Sequence, residues 1–537
     1  MRAAKRNMKT GRKRGGNKKV RCPPYARRII HSITRLNKKQ IICAEIVLIL
    51  TLAFAYTSFK TAQEAQGSMG YVSDEKWYVC SARNILREVF GVQPSYVDSW
   101  GLRHYTIFFS SSSDFNDVRE NFRNFIRTEF EGDITYTYDK TAGVSIATQK
   151  ELNYENVSRN FPQIIIIQSG YNYHPDTDSG LENSLNPEHP PLVKYIIGLS
   201  MLTLGDQPIN WRIPGIIAGS LTVLLVYLIV AKLINNKFIA LPVYLFAFTD
   251  PVMKAMSSIA MLDIYAAFFV TLSAWLALRR NYFLSAISVG LAASCKLNGL
   301  FAAPALFLLM VIQHKPPLSG TRKTKLVQFA KRLINPRLYI YALIIPIFII
   351  FIFDIPFTAR FGWGWLTNNF PGNIHWFLTS KEGGSAPWGW FVNQNAFAMN
   401  FNPDIVASVN SATYFASVIG LAFIPYLAYK VKRDYLVPGF WFSFTFLGFV
   451  SVYLLGNRSL HSFYAVALSP MVYVLAFVFV YYFIYFIKDI RRNLGLVHLR
   501  LRNLRIKRLR FKRFITRPHR APKKRKPKKK RKLRSIK

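Results

Sequence analysis

The chain has 537 residues, 51% of them hydrophobic, and a formal net charge of +44. Its apolar residues gather in long runs instead of recurring at amphipathic spacing, which excludes an ordinary soluble chain and marks an α-helical polytopic membrane protein. The charge does not require a nucleic-acid partner. Residues 1–40 hold 15 Lys+Arg and no acid, residues 488–537 hold 24 and one acid, and only +6 remains between them.

In chain order, a basic tail (1–40) precedes a first transmembrane helix (41–59, apolar from Ile42 to Phe59). No small-residue cleavage site follows this helix, so it reads as a retained anchor. The stretch 60–190 reverses the charge, with 18 acids against 11 Lys+Arg. It opens with SDEKW (Ser73 to Trp77) and a short amphipathic helix, Trp77 to Phe90. Strands are predicted at Arg103–Ser110, Ile134–Tyr138, Val144–Thr148 and Ile164–Ile167, with a helix at Asp114–Phe130. This is a small α+β insertion of βαββ type over about 100–170, expected outside the membrane. A lid, an acceptor-binding surface and a spacer remain open as its role.

NPEHPPLVK (Asn186 to Lys194) follows. Its tandem proline suits the first turn of a helix, where the missing N–H costs nothing. Leu192 to Leu204 is too short to cross a bilayer and is expected along the outer interface. The membrane domain, 191–487, then continues with apolar runs at Ile213–Ile234, Phe238–Phe248, Leu262–Leu278, Phe283–Ser294, Gly299–Ile312, Leu338–Ile355, Ile405–Leu427, Val437–Leu455 and Phe463–Ile487. With the first helix these predict about ten spans. In the second basic tail, 488–537, apolar residues recur at helical spacing from Val497 to Ile515, which suits an anionic leaflet. Residues 521–537 are a Lys/Arg run expected to lack fixed structure.

Basic loops are retained on the cytoplasmic side. With residues 1–40 inside, ten spans place both tails and the loops 234–237, 279–281, 314–337 and 430–433 inside, each with Lys or Arg. The acidic stretch and the loops 250–261, 356–404 and 456–462 fall outside, in a multi-pass plasma-membrane protein. Of Cys22, Cys43, Cys80 and Cys295 only Cys80 is outside, so one chain forms no outer disulfide. No His/Cys spacing suits a structural zinc, and no cofactor motif stands out. Asn156-Val-Ser and Asn457-Arg-Ser are glycosylation sequons, the second close to the membrane.

Asp74 and Glu75 are an adjacent acidic pair at the foot of an amphipathic helix. A carboxylate held near an apolar interface can have its pKa raised towards that of a general base. Glu188, His189 and Lys194 surround the tandem proline, where a helix N-terminus can receive phosphate. Snorkelling of Lys194 is the plain structural alternative. Lys296 lies at a break between two apolar runs, where a charge needs a partner or a cavity. Asp263 as that partner and a phosphate role for Lys296 both stay open.

Several stretches together resemble the protein O-mannosyltransferase family, membrane glycosyltransferases of GT-C type, in their archaeal or bacterial-like form. They are YVSDEKWYVCSARNIL (Tyr71 to Leu86), EHPPLVK through WRIPG into a long span (Glu188 to Val230), Met261–Arg280, GLAASCKLNGLFAAP (Gly290 to Pro304), SAPWGW (Ser385 to Trp390) and RSLHSFYAVALSP (Arg458 to Pro470). The resemblance implies transfer of a sugar, mannose above all, from a polyprenyl or dolichyl phosphate to Ser/Thr hydroxyls of an acceptor protein. Lipid or glycan acceptors, as in related aminoarabinose transferases, are the rival. Asp74 would be the general base and Glu75 would orient the acceptor. Glu188, His189, Lys194, Arg212, Lys296, Arg458 and His461 would serve the donor phosphate and substrate, with His375 and Trp388 as further contacts. The lipid-linked sugar is a substrate, and any divalent metal is left open. Valine in HPPLVK and the large insertion depart from the family pattern. A transporter needs polar residues spread through its spans or a coupling domain. Here the ionisable residues cluster on one face.

Overall fold

The computed structural model describes residues 38–65, 70–94, 97–98, 100–110, 115–138, 142–169, 184–313, 320–379 and 383–484; both basic tails, with Cys22 and the expected surface helix Val497–Ile515, lie outside them. One compact unit extends to Ala476, and a second begins at Phe477.

Each predicted apolar run contains or overlaps a helix. Those long enough to span are α1 (Lys38–Glu64), α6 (Pro208–Ile234), α13 (Pro336–Phe361), α15 (Ser411–Lys430) and α16 (Arg433–Leu454), while α7 (Lys237–Phe248) and α8 (Pro251–Ser258) form one apolar pair bent by 74° at Asp250. Leu262–Leu278 (α9), Tyr282–Cys295 (α10), Leu297–Gln313 (α11) and Ser469–Ile484 (α17) are apolar but shorter. Among the described residues, five helices, or six with the bent pair, meet a spanning length, and the shorter apolar helices α9, α10, α11 and α17 correspond to the other four of the ten expected runs. Two boundaries also change: Ile405 lies in a hairpin, β5 (Phe397–Phe401) with β6 (Asp404–Ala407), and the last apolar run begins as a 3-10 turn over Ser462–Ala467.

The apolar stripes meet around α6, which packs on α1, α8 and α9, while α9 lies against α10 and α10 against α13. The approach of α6 to α8 requires Gly219, where a Cβ would collide with Ser257. Burial in α6 goes nearly all round, from Trp211 to Leu233, as an all-apolar helix in a bundle centre requires.

The insertion comprises β1 (Arg103–Phe109), α3 (Phe115–Phe130), β2 (Gly132–Thr137), β3 (Gly143–Thr148), α4 (Tyr154–Asn160) and β4 (Ile164–Ser169). Its antiparallel sheet has the order β2-β3-β1-β4. Phe122, Ile126 and Phe130, at helical spacing on α3, pack on Tyr105, Ile107, Val144 and Ile146 in a core of the insertion's own. The short helix α4 was not expected: Asn153 caps it, and polar residues hide its single buried apolar position, Val157. The Asn156 sequon lies on this helix, with Oδ1 accepting from Asn160.

Ion pairs and caps gather the basic loops at one end of the bundle. Arg280 pairs with Asp434 at 2.6 Å, and Lys432 donates to the Lys232 carbonyl at 2.8 Å. The chain then climbs α16 from Arg433 to Leu454, so Arg458 and His461 lie at the other end.

Candidate active site

Asp74 and Glu75 begin α2 (Glu75–Glu88), directly after Ser73, which takes a left-handed conformation with φ 54°. That reversal sends two adjacent carboxylates in different directions. Glu75 turns inward and is fully buried: Arg212 grips it through Nε to Oε1 (2.8 Å) and Nη2 to Oε2 (2.7 Å), and the amides of Ala260 and Val72 also donate to it. Arg212 gives its remaining protons to the carbonyls of Ala62, Ala65 and Gly70.

Asp74 faces the other way, into an open cavity of about 340 Å³ lined by Asp74, Trp77, Tyr78, Asn186, Glu188, His189, Ser459, His461, Phe463 and Tyr464. Its side chain does not cap the helix it precedes. Burial raises its carboxyl above the usual aspartate range, and the nearby Lys296 and Lys76 ammonium groups offset only part of that rise.

The second motif supplies the opposite wall. Asn186 is left-handed (φ 48°), and its amide donates to Glu188. Lys194, on α5 (Leu192–Leu204), is buried beneath this loop, with Nζ on the carbonyls of Asn186 (2.5 Å), His189 (2.8 Å) and Leu185 (3.1 Å). Neither Lys194 nor Arg212 therefore presents free protons to a phosphate. Both hold the walls that carry the cavity residues, because a buried cation needs this many acceptors.

Lys296 follows the structural alternative. Its Nζ lies 2.9 Å from both Asp263 oxygens and 4.0 Å from the centre of the Tyr464 ring. Among the predicted cations, Arg458 is exposed beside the cavity wall at Ser459 and has no ion pair among the described residues. His461 lies on the cavity with its ring 4.6 Å from that of Phe397; burial, then the Lys296 charge, pushes its imidazole below the ordinary range, so it is neutral at pH 7.

His375 lies on the exposed helix α14 (Trp363–Leu378), and Trp388 packs edge-on against Tyr453 at 5.4 Å; neither lines the cavity. Alanine at either position is expected to leave turnover within about twofold, checked by steady-state rates. The cavity adds Tyr78, Tyr464, Ser459 and Asn186, which sequence reading did not single out. Tyr78 stands four residues after Asp74, hence on the same helix face, and its ring lies 5.8 Å from that of His189. A second buried fork, Arg83 on Asp206 (2.5 and 3.0 Å), fastens α2 to the start of α6, with Trp211 Nε1 also on Asp206.

Residues 188–352 match the family model described as dolichyl-phosphate-mannose-protein mannosyltransferase. The resemblance read from the motifs is borne out. A polyprenol-phosphate-mannose–protein mannosyltransferase of Corynebacterium glutamicum is 34% identical over 91 residues, 17% of this chain and 18% of the relative. The chain thus matches under a fifth of that relative's length. Among solved structures, ArnT of Cupriavidus metallidurans bound to undecaprenyl phosphate overlaps 55% of this chain and 50% of its own at 16% identity, TM-score 0.38. Its apo form gives 54%, 49%, 16% and 0.37. Asp74 and the cavity wall at 459–464 lie outside the family match, whereas Glu188, His189, Lys194, Arg212 and Lys296 lie within it.

Proposed function

We propose that the chain is an inverting glycosyltransferase. It moves mannose from a polyprenyl or dolichyl phosphate to Ser/Thr hydroxyls of proteins, at the outer face of the plasma membrane. The observation that carries this reading is a recessed carboxylate, Asp74, directed into an open cavity while its neighbour Glu75 is consumed by Arg212. The acceptor oxygen attacks the anomeric carbon as its proton passes to Asp74. The bond from that carbon to the phosphate oxygen breaks, and polyprenyl phosphate departs with the electron pair. One base suffices because the phosphate leaves without protonation.

Arg458 is the guanidinium positioned to meet that phosphate, and neutral His461 and Tyr464 offer uncharged polar groups. Glu188 is suited to accept from sugar hydroxyls, since a carboxylate would repel the phosphate. The gathering of basic loops opposite the cavity supports an inside location for the termini and an outside one for the site.

The test incubates protein in lipid with radiolabelled polyprenyl-phosphate mannose and a Ser/Thr peptide. Label on the peptide hydroxyl with inverted configuration supports the reading. Label only on a lipid overturns the acceptor assignment while retaining the donor chemistry, and no transfer overturns both. Arg458→Ala is expected to raise KM for the lipid donor about tenfold or more with KM for the peptide unchanged. Equal effects on both would place Arg458 in the scaffold.

A further inference from the structure

Among the described residues the most exposed large apolar side chain is Trp100, at 86%, just ahead of the insertion's first strand. It stands at the tip of a fixed turn. Asp98 Oδ1 accepts from the amides of Trp100 (2.8 Å) and Leu102 (2.9 Å), and Oδ2 lies 2.9 Å from His104 Nε2. Below the tip the Asp98 amide donates to the Leu102 carbonyl at 2.8 Å, Val97 bridges to Arg103, and Gly101 takes the left-handed φ of 82° that the reversal needs. This backbone displays the indole instead of letting it fold back on the sheet.

The turn is tied to the bundle where a spanning helix begins. Gln207, the residue before α6, donates through Nε2 to the Val97 carbonyl at 3.2 Å. Three residues extend at most about 10 Å, so Trp100 lies within that reach of Val97 and its tether. Neighbouring elements mark the same boundary. Leu202 and Leu204, both exposed, close the short apolar helix α5 that leads to Gln207. The span α13 ends at exposed Phe361, and Trp363, 75% exposed, begins α14 directly beyond it. Arg360 there donates to the Glu88 carbonyl at 2.8 Å, joining α13 to the end of α2, from which the chain runs on to Val97. At the far end of the bundle, α12 (Arg322–Leu333) carries Lys331 and Arg332 in its last turn instead. Exposed apolar and aromatic side chains at the level where spans begin and end form the belt that sits among lipid headgroups.

We propose that the insertion rests on the membrane through Trp100, whose indole enters the headgroup region of the leaflet at the cavity end of the bundle. The partner is a lipid surface, and Trp100 is the anchor that holds the insertion beside α5. This inference needs the membrane-embedded fold and not the proposed reaction. An acceptor polypeptide stacked on the indole is the competing occupant.

The test uses the full chain in phosphatidylcholine nanodiscs. Cys43, Cys80 and Cys295 are buried, so Trp100→Cys in a Cys22→Ser background directs an NBD fluorophore to the turn. Its emission is expected to fall about twofold or more when 5-doxyl phosphatidylcholine is included in the bilayer, with the melting temperature unchanged. Emission indifferent to the doxyl lipid overturns the proposal, and assigns the turn to the acceptor if a Ser/Thr peptide alone changes it. The unsubstituted chain gives an independent reading. A phosphatidylcholine with a diazirine near its glycerol backbone should label the peptide containing 97–103; labelling of the spanning helices alone overturns the anchor.

Discussion

Asp74→Asn is expected to lower sugar transfer by about 10²–10⁴, the range a positioned general base contributes. The substitution keeps the shape of the side chain and removes only its basicity. Because Asp74 forms no ion pair among the described residues and does not cap α2, no structural bond is lost with it. The same change is expected to leave the melting temperature unaltered or slightly raised at neutral pH. The sign follows from the raised carboxyl. In the pH window between the unfolded and folded values, the folded protein holds a proton on Asp74 that the unfolded chain has already released. Stability from this group is therefore present at low pH and declines as pH rises through the folded-state value. Asparagine removes that cost.

The pH profile separates this role from a scaffolding one. As a base, Asp74 works only when ionised, so kcat/KM should rise with pH along a limb displaced above the ordinary aspartate value of about 3.9. In Asp74→Asn the residual rate should lose that limb. Full activity in the variant would remove Asp74 from the mechanism, and an intact acid limb would assign the titration to another group.

The sequence reveals some levels of this structure and conceals others, for identifiable reasons. Long apolar runs locate the helices, because a bundle core demands apolar residues whatever their partners. The insertion's strands and α3 are legible because period-two and helical patterns survive in a domain with its own core. Chain order cannot say which of two adjacent carboxylates turns inward. A left-handed Ser73 decides it, and serine carries no strong signal for that conformation. The cations are harder still. Lys194, Arg212 and Lys296 have the composition of a phosphate site, yet each finds its acceptors in backbone carbonyls or in an acid distant in sequence. Tyr464 follows His461 by three residues within RSLHSFYAVALSP, but only the fold turns its ring to Lys296.

The Glu75–Arg212 pair gives the largest stability effect. Glu75→Ala leaves a guanidinium buried among three carbonyls with no counter-charge, a change that costs about 3–5 kcal/mol. Arg212→Lys should also fail, since a single ammonium cannot serve two carboxylate oxygens and the carbonyls of Ala62, Ala65 and Gly70 together. Both variants are expected to melt well below the wild type in detergent and to lose activity with the fold around Ser73. Replacing both partners at once, as Glu75→Leu with Arg212→Met, removes the unpaired charge and should recover a large part of the melting temperature. The sequence-based expectation that Glu75 orients the acceptor makes the opposite forecast: Glu75→Gln would stay as stable as wild type and raise KM for the peptide alone. Melting curves and peptide KM for that one variant decide between the two. The geometry favours the first outcome, because the amides of Val72 and Ala260 and the Arg212 fork already occupy both carboxylate oxygens.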